Sequence, residues 1–385
     1  MSKSRVPRDI VIASGDFVKT GGMDRANYAL ADYLSRSGSR VELVAHRVAS
    51  DLERAPGVHV TKVPKPLGSY MLGEPLIDLA GRRAANAARL RGGHTIVNGG
   101  NCLTHAVNWV HYVHTEYRPS VRLSPRGIAR SWHGYRHRSR EQSALRLAEL
   151  VICNSRATRR AVVEELGVPS ERVFVVYLGI DAELFVLGDA SSATEQRQRL
   201  GWPARPCVAF VGGLGDLRKG FDTLFEAWRV LCRSPAWDVD LVAVGGGSDL
   251  GTWRARARDA GLSERVRLLG FRSDVARILA ACDALVAPAR YEAFGVGIAE
   301  ALAMGLPAIV SASAGAAELF PPGLGRLLLT DPESVDELVG KLRAWRESCA
   351  ELRLAVRELT ARIRGRGWDD MAAEMLALMA DRGIG

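Results

Sequence analysis

A two-domain α/β chain, each domain a parallel sheet with helices on both faces, is the fold class the sequence predicts. Three observations predict it. The length of 385 residues suits two domains better than one. Short apolar runs alternate with helical patterns along the whole chain. One pattern, strand then glycine loop then helix then strand, occurs twice. Such alternation places the connections on both faces of a sheet, so its strands run parallel and buried.

The first copy starts with the apolar run Asp9–Ser14, a loop Gly15–Met23 and a helical pattern Asp24–Ser37 that Gly38 ends. The strand Arg40–Ala45 completes the βαβ unit, and further strands are expected at Thr95–Asn98, Ala106–His114, Leu150–Asn154 and Val173–Tyr177. The second copy starts with the strand Cys207–Val211, the loop Gly212–Gly220 and a helix Phe221–Cys232. Strands at Asp240–Val244, Val266–Leu269, Ala284–Ala287, Ala308–Ser311 and Arg326–Leu329 follow, with helices between them. The boundary falls within Leu178–Leu187. Gly188–Gln198, polar and rich in Ala and Ser, reads as loop. Trp368–Met379 is apolar at helical spacing and is expected to cross back, which gives domains 1–180 (with 366–385) and 181–365.

Composition narrows the class. A charged fraction of 25% beside a hydrophobic fraction of 47% is that of a soluble globular protein. No apolar run reaches the roughly 20 residues of a membrane-spanning helix. The polar Met1–Arg8 leads straight into a strand, so no signal peptide is expected. The six cysteines lack metal-like spacing and read as buried reduced thiols, which favours the cytoplasm. The net charge of +9 is one-sided: Met1–Leu178 carries 27 Lys+Arg against 15 Asp+Glu, and the remainder 25 against 28. A basic first half points to an anionic partner or to an Arg-rich composition without function. Its centre is Arg118–Arg140, seven arginines interleaved with Trp132, His133, Tyr135 and His137. Two readings stand there: a basic flap toward an anionic membrane surface or phosphorylated acceptor, and a solvated basic helix.

Four segments carry chemistry. After the strand Ala284–Ala287, a loop bears Glu292, and Gly295 and Val296 open a helix bearing Glu300. Amides at that helix start face an anion, and a carboxylate further in accepts two hydrogen bonds from a ribose diol. The loop Val211–Gly220 offers glycines for close approach, with Arg218 and Lys219 as cations for a phosphate, and has no P-loop pattern. Gly21 and Gly22 stand in the corresponding loop of the first copy. In Val110–Thr115, strand alternation turns His111 and Val113 to one face, Tyr112 and His114 to the other.

Together these residues resemble family four of the retaining glycosyltransferases, whose fold is GT-B: two Rossmann-like domains facing across a cleft. The Glu292-x7-Glu300 element carries the resemblance furthest. Gly305-Leu-Pro307, Gly315–Glu318, the Arg-Lys-Gly turn, the Tyr177–Asp181 hinge and the Gly367-Trp-Asp369 tail extend it. The resemblance implies an acceptor-binding first domain and a second domain binding a UDP- or GDP-linked sugar. It implies that Glu300 binds the ribose, Glu292 the donor sugar, and the amides of Phe294, Gly295 and Val296 the sugar and diphosphate. Lys219 and Arg218 would neutralise phosphate, Gly21 and Gly22 approach it from the first domain, His114 lie at the reacting sugar, and Arg272 meet the base. Gly213 stands where the family often has a phosphate-binding Arg, and Ala293 where many members have Gly.

The implied reaction moves a sugar to an acceptor hydroxyl with retention, without metal or other cofactor, in cell-envelope polysaccharide or glycolipid assembly or on a natural product. The expected location is the cytoplasm, at the inner face of the membrane. The acceptor stays open: a saccharide, a lipid-linked saccharide or a small molecule. No nucleic-acid partner is expected. A sugar-nucleotide epimerase or hydrolase on the same fold, a polyanion-binding protein without catalysis, and a degenerate partner subunit are the competing readings.

Overall fold

The computed structural model describes residues 6–117 and 125–384, and for 125–135 the backbone alone. The chain divides into two units, Met1–Gly179 with Gly367–Gly385, and Ile180–Arg366.

Among the described residues the first unit carries nine strands: β1 (Asp9–Ala13), β2 (Asp16–Phe17), β3 (Arg40–Ala45), β4 (Arg47–Val48), β5 (Val58–Lys62), β6 (His94–Val97), β7 (Val107–Val110), β8 (Leu150–Cys153) and β9 (Val173–Val175). Seven form one parallel sheet in the order β5-β3-β1-β6-β7-β8-β9, and β2 pairs with β4 beside it. Its centre is β1, where Ile10, Val11, Ile12 and Ala13 are wholly buried because both neighbours and both faces are covered. The order turns round between β1 and β6, so the loops leaving their carboxyl ends diverge and open a crevice. The helix Trp368–Asp381 returns to this unit and packs on the helix Gly22–Arg36. There the Arg36 guanidinium forks onto Asp369 at 2.6 and 3.1 Å.

The second unit has six strands, β10 (Cys207–Val211), β11 (Asp240–Val244), β12 (Val266–Gly270), β13 (Ala284–Ala287), β14 (Ala308–Ser311) and β15 (Leu328–Leu329). They lie parallel in the order β12-β11-β10-β13-β14-β15, and the turning point falls between β10 and β13. This is the two-domain GT-B fold with parallel sheets.

Several expectations are corrected. The strand of the first unit expected to reach His114 ends at Val110, because its neighbour β8 stops at Cys153 and the chain turns through Asn154 into the helix capped by Ser155. Gly188–Gln198 is not loop. Asp189 and Ser192 form a reciprocal capping box, at 2.8 Å each way, that starts a helix Ala190–Arg199. The strand expected from Arg326 begins at Leu328, after a 3₁₀ segment. Edge strand β5 and the helix Tyr70–Leu90 were not anticipated.

Of the basic segment Arg118–Arg140, residues 118–124 and the side chains of 125–135 lie outside the described residues, and so do the calls resting on Arg118, Arg122, Trp132, His133 and Tyr135. The helix spans Pro125–Leu147. No helix among the described residues is long and apolar enough to cross a membrane. All six cysteines are unpaired thiols, and burial pushes those of Cys102 and Cys207 up to about 12.

One backbone contact fixes the second unit's crevice. Gly220 has φ 70°, and a Cβ there would stand 1.9 Å from the carbonyl oxygen of Pro288. The loop after β10 therefore presses on the loop after β13 through a glycine that nothing else replaces. Gly220→Ala is expected to cost about 3 kcal/mol or more, read as a fall in the urea midpoint. A variant as stable as the parent would show that the loops are not in contact.

Candidate functional site

Both turning points carry the residues that the sequence singles out. In the second unit, β10 leads into Gly212–Gly220 and β13 into Pro288–Gly295, so the two loops leave adjacent carboxyl ends. Lys219 and Glu292, one from each loop, form an ion pair with about a fifth to a quarter of each side chain exposed. Arg290 clamps the loops together. Its guanidinium donates to both oxygens of Asp222 at 2.8 Å and to the Leu217 carbonyl at 2.5 Å, and its amide donates to the Arg218 carbonyl at 2.7 Å. From below, the amides of Gly315 and Ala316 hold the carbonyls of Glu292 and Phe294 at 3.0 and 2.6 Å. Glu292 thus sits on a loop secured at both ends.

Gly295, at φ 100°, turns that loop into the helix Val296–Ala303. The amides of a helix's first turn have no partner within the helix and carry its positive end. Phe294 is buried, Val296 half-buried, and Glu300 half-buried one turn into the helix. Arg218 lies beside Lys219, but its guanidinium forks onto Asp216 at 3.0 and 2.5 Å. Arg272 follows β12, exposed, and forks onto Asp274 at 2.7 Å.

In the first unit a cavity of about 210 Å³ opens at the carboxyl end of the sheet. Gly15 reaches it after β1, His46 after β3, Gly100 and Asn101 after β6, and His114 after β7. His114 is set by a residue that sequence reasoning missed. Glu141, 1% exposed, accepts from the His114 amide at 2.9 Å and from its Nδ1 at 3.0 Å. The ring also stacks on His137 at 5.3 Å and meets Tyr112 edge-on at 4.7 Å. Tyr112 and His114 therefore do meet, although the strand has already ended. His111 is separate: its ring packs on Trp109, and burial pushes it down to about 3, so it stays neutral. Part of the basic segment points inward here. Arg140 lies 3.4 Å from Glu74 and 3.6 Å from Asp78, so at this end the helix is not merely solvated.

Gly21 and Gly22 open the helix Gly22–Arg36, with Asp24 in its first turn. Burial, then the charge of Asp16, raise the Asp24 carboxyl to about 6. The folded chain thus binds a proton there that the unfolded chain releases near 4. Stability contributed by this proton is full below about pH 4 and lost as the pH rises through about 6. Asp24→Asn is therefore expected to gain about 2 kcal/mol on the parent between pH 4 and pH 7.5, measured by urea unfolding at both values. Parallel stability curves would contradict it.

Among the described residues no group of three His, Cys, Asp or Glu is placed to hold a metal ion. What the second unit presents is a cation, a helix start and two carboxylates at one turning point. That set can take an anion together with hydroxyl groups.

Comparison with known proteins agrees with this chemistry. Residues 20–184 match the family described as Glycosyltransferase Family 4, and residues 205–347 the one described as Glycosyl transferases group 1. A D-inositol 3-phosphate glycosyltransferase of Xylanimonas cellulosilytica is 28% identical, over 94% of this chain and 91% of that protein. One of a Mycobacterium species is 30% identical over 77% and 71%. Among solved structures, Anabaena HepE in complex with UDP and glucose aligns with a TM-score of 0.71 at 22% identity, over 97% of this chain and 99% of that one. Sucrose-phosphate synthase of Thermosynechococcus elongatus aligns at 0.77 and 20%, over 97% and 98%.

Proposed function

The chain belongs to the family 4, group 1 glycosyltransferases, and from that premise we propose that it transfers a sugar from a nucleoside-diphosphate sugar to an acceptor hydroxyl with retained anomeric configuration. The observation that carries this reading is the convergence of Lys219, Glu292 and the helix start at Gly295 on one turning point. A nucleoside diphosphate sugar offers a matching set: two phosphates, a ribose diol and sugar hydroxyls. Lys219 and the amides of Gly295 and Val296 neutralise the leaving diphosphate, which needs no metal for that purpose. Glu292 holds the donor sugar and Glu300 the ribose. Arg218, already forked onto Asp216, is the weaker second cation.

No carboxylate is assigned as a nucleophile. The departing phosphate takes the acceptor's proton as the new glycosidic bond forms on the same face. In this reading His114, which Glu141 holds within the first unit, serves the reacting sugar. The solved neighbour's complex with UDP and glucose favours a uridine donor. The named relatives bring inositol 3-phosphate forward as one acceptor to test.

The test is a thermal-shift panel of UDP, GDP, ADP and their sugars. One nucleotide should raise Tm in proportion to the logarithm of its concentration. Glu300→Ala should then weaken that nucleotide about tenfold to a hundredfold, the worth of one or two hydrogen bonds to a charged group, with kcat little changed. A panel without any shift sinks the reading, and an Ala variant that binds as the parent does removes Glu300 from it.

A further inference from the structure

Another cavity of the first unit, of about 680 Å³, lies along the edge strand β9, three strands beyond β6 and away from the turning point. Arg156, Arg159, Arg160 and Arg382 line it, against Glu164 and Glu171. The wall therefore carries two positive charges in excess. Three of the arginines share one face of the helix Arg156–Glu164 through their spacing of three and four residues. Arg382 comes from the opposite end of the sequence, just after the helix Trp368–Asp381. Like charges one turn apart on a helix repel, so this arrangement costs stability until an anion enters it.

The way these guanidiniums are held leaves their charge unspent. Arg159 donates from Nε to the Val173 carbonyl at 2.9 Å and from Nη2 to the Ser170 carbonyl at 3.2 Å. Three of its five N–H donors remain for a ligand. Arg382 lies over the Phe174 ring at 4.1 Å. Carbonyls and a ring fix position without neutralising charge. Elsewhere Arg36, Arg218, Arg272 and Arg290 fork onto carboxylates. Among the described residues Arg159, Arg160 and Arg382 have no carboxylate within ion-pair distance. Residues 1–5, 118–135 and 385 contain no Asp or Glu, so the rest of the sequence adds no acidic side chain.

Phe174, half-buried, makes the apolar part of the wall with Val163 and Val175. Guanidiniums beside an aromatic ring suit a dianion joined to an apolar group. A phosphate monoester is such a molecule. It carries about −1.5 to −2 charges at neutral pH and offers three acceptor oxygens to forked N–H donors. A carboxylate or a sulfate ester, with a single charge, leaves half of the excess unmatched.

We propose that this cavity binds an organic phosphate monoester, its phosphate held by Arg159, Arg160 and Arg382 and its carbon part by Phe174 and Val163. The site is separate from the sugar-transfer reading above and uses none of the residues assigned to it.

The experiment is calorimetric titration of the full chain with phenyl phosphate, inorganic phosphate and phenyl sulfate. Phenyl phosphate should bind about tenfold tighter than inorganic phosphate, the gain of burying ring surface. It should also bind tighter than phenyl sulfate, which has the same shape and less charge. Arg382→Gln and Arg160→Gln, both at exposed positions, should each weaken phenyl phosphate about tenfold, the worth of a hydrogen bond to a charged group. Phe174→Leu should narrow the gap between phenyl and inorganic phosphate. Lys219→Ala should leave this binding unchanged, which keeps it apart from any phosphate held at the second unit's crevice. No saturable binding of phenyl phosphate, or binding no tighter than that of phenyl sulfate, overturns the proposal. Folded Arg382→Gln and Arg160→Gln variants that both bind as the parent does, or loss of the binding in Lys219→Ala, overturn it too. Cosedimentation with phosphatidylcholine vesicles containing phosphatidic acid then separates the two sources of such an ester. Vesicle binding that phenyl phosphate displaces and Arg382→Gln weakens marks the ester as a lipid headgroup. A chain that binds phenyl phosphate and ignores the vesicles marks it as soluble.

Discussion

Replacing Lys219 with alanine is expected to lower kcat/KM about a thousandfold, from the loss of one preorganised charge aimed at the leaving group. The structure makes this more than the removal of a surface cation. Lys219 is three-quarters buried and faces Glu292 across the turning point of the sheet. On the proposed reading truncation removes the phosphate's counter-charge, and it also leaves Glu292 without its Lys219 partner. The two losses are separable. If Lys219 serves only to neutralise Glu292, Lys219→Ala costs nothing further in a Glu292→Gln background, because no carboxylate is then left uncompensated. If it stabilises the departing diphosphate, Lys219→Ala still slows the Glu292→Gln variant. The second outcome is expected, with Lys219→Arg retaining part of the rate. The check is steady-state nucleotide release with the donor that the thermal panel identifies. A double variant as active as Glu292→Gln alone would assign Lys219 to structure.

Why was the second unit readable from sequence and the first only in part? The strands Asp240–Val244, Ala284–Ala287 and Ala308–Ser311 lie where their apolar runs end in glycine, proline or a helix pattern. Their limits are written locally. The Glu292 loop is flanked by Pro288 and Gly295, so its position after β13 was legible too. The clamp was not. Arg290 reaches Asp222 and Glu333, partners dozens of residues away, and no local pattern announces them. Its signal was a lone arginine between a strand and a glutamate loop, which reads as solvated surface.

Composition misleads in both units. In the second, Gly188–Gln198 reads as loop by its Ser and Ala content, whereas Asp189-x-x-Ser192 is a capping pattern with a defined geometry. In the first unit, the charge of the basic segment and its interleaved aromatic residues leave two readings, a flap and a solvated helix. Inside it, helical spacing sets His137, Arg140 and Glu141 on neighbouring positions of the face that meets the sheet. Its one carboxylate, at the edge of the run, was the informative residue.

That carboxylate yields the second large effect. Glu141→Ala is expected to lower kcat by about a hundredfold, the cost of a misplacement near 1 Å at a reacting group, with donor affinity unchanged. On the proposed reading Glu141 acts through His114 and is a positioning residue. Buried at 1% exposure, it binds both the amide and the ring of His114, so it fixes the backbone and the imidazole together. Glu141→Gln keeps the shape and one acceptor oxygen and should recover part of the rate. Glu141→Asp, shorter by one methylene, should recover less. A purely structural role would lower Tm and leave kcat per folded molecule alone. A double-mutant cycle separates the two. In a His114→Ala background, Glu141→Gln should cost no further turnover, because nothing is left for Glu141 to aim. Independent losses in that background, or a rate that simply follows the folded fraction, would show that the pair holds the fold and does not position the chemistry.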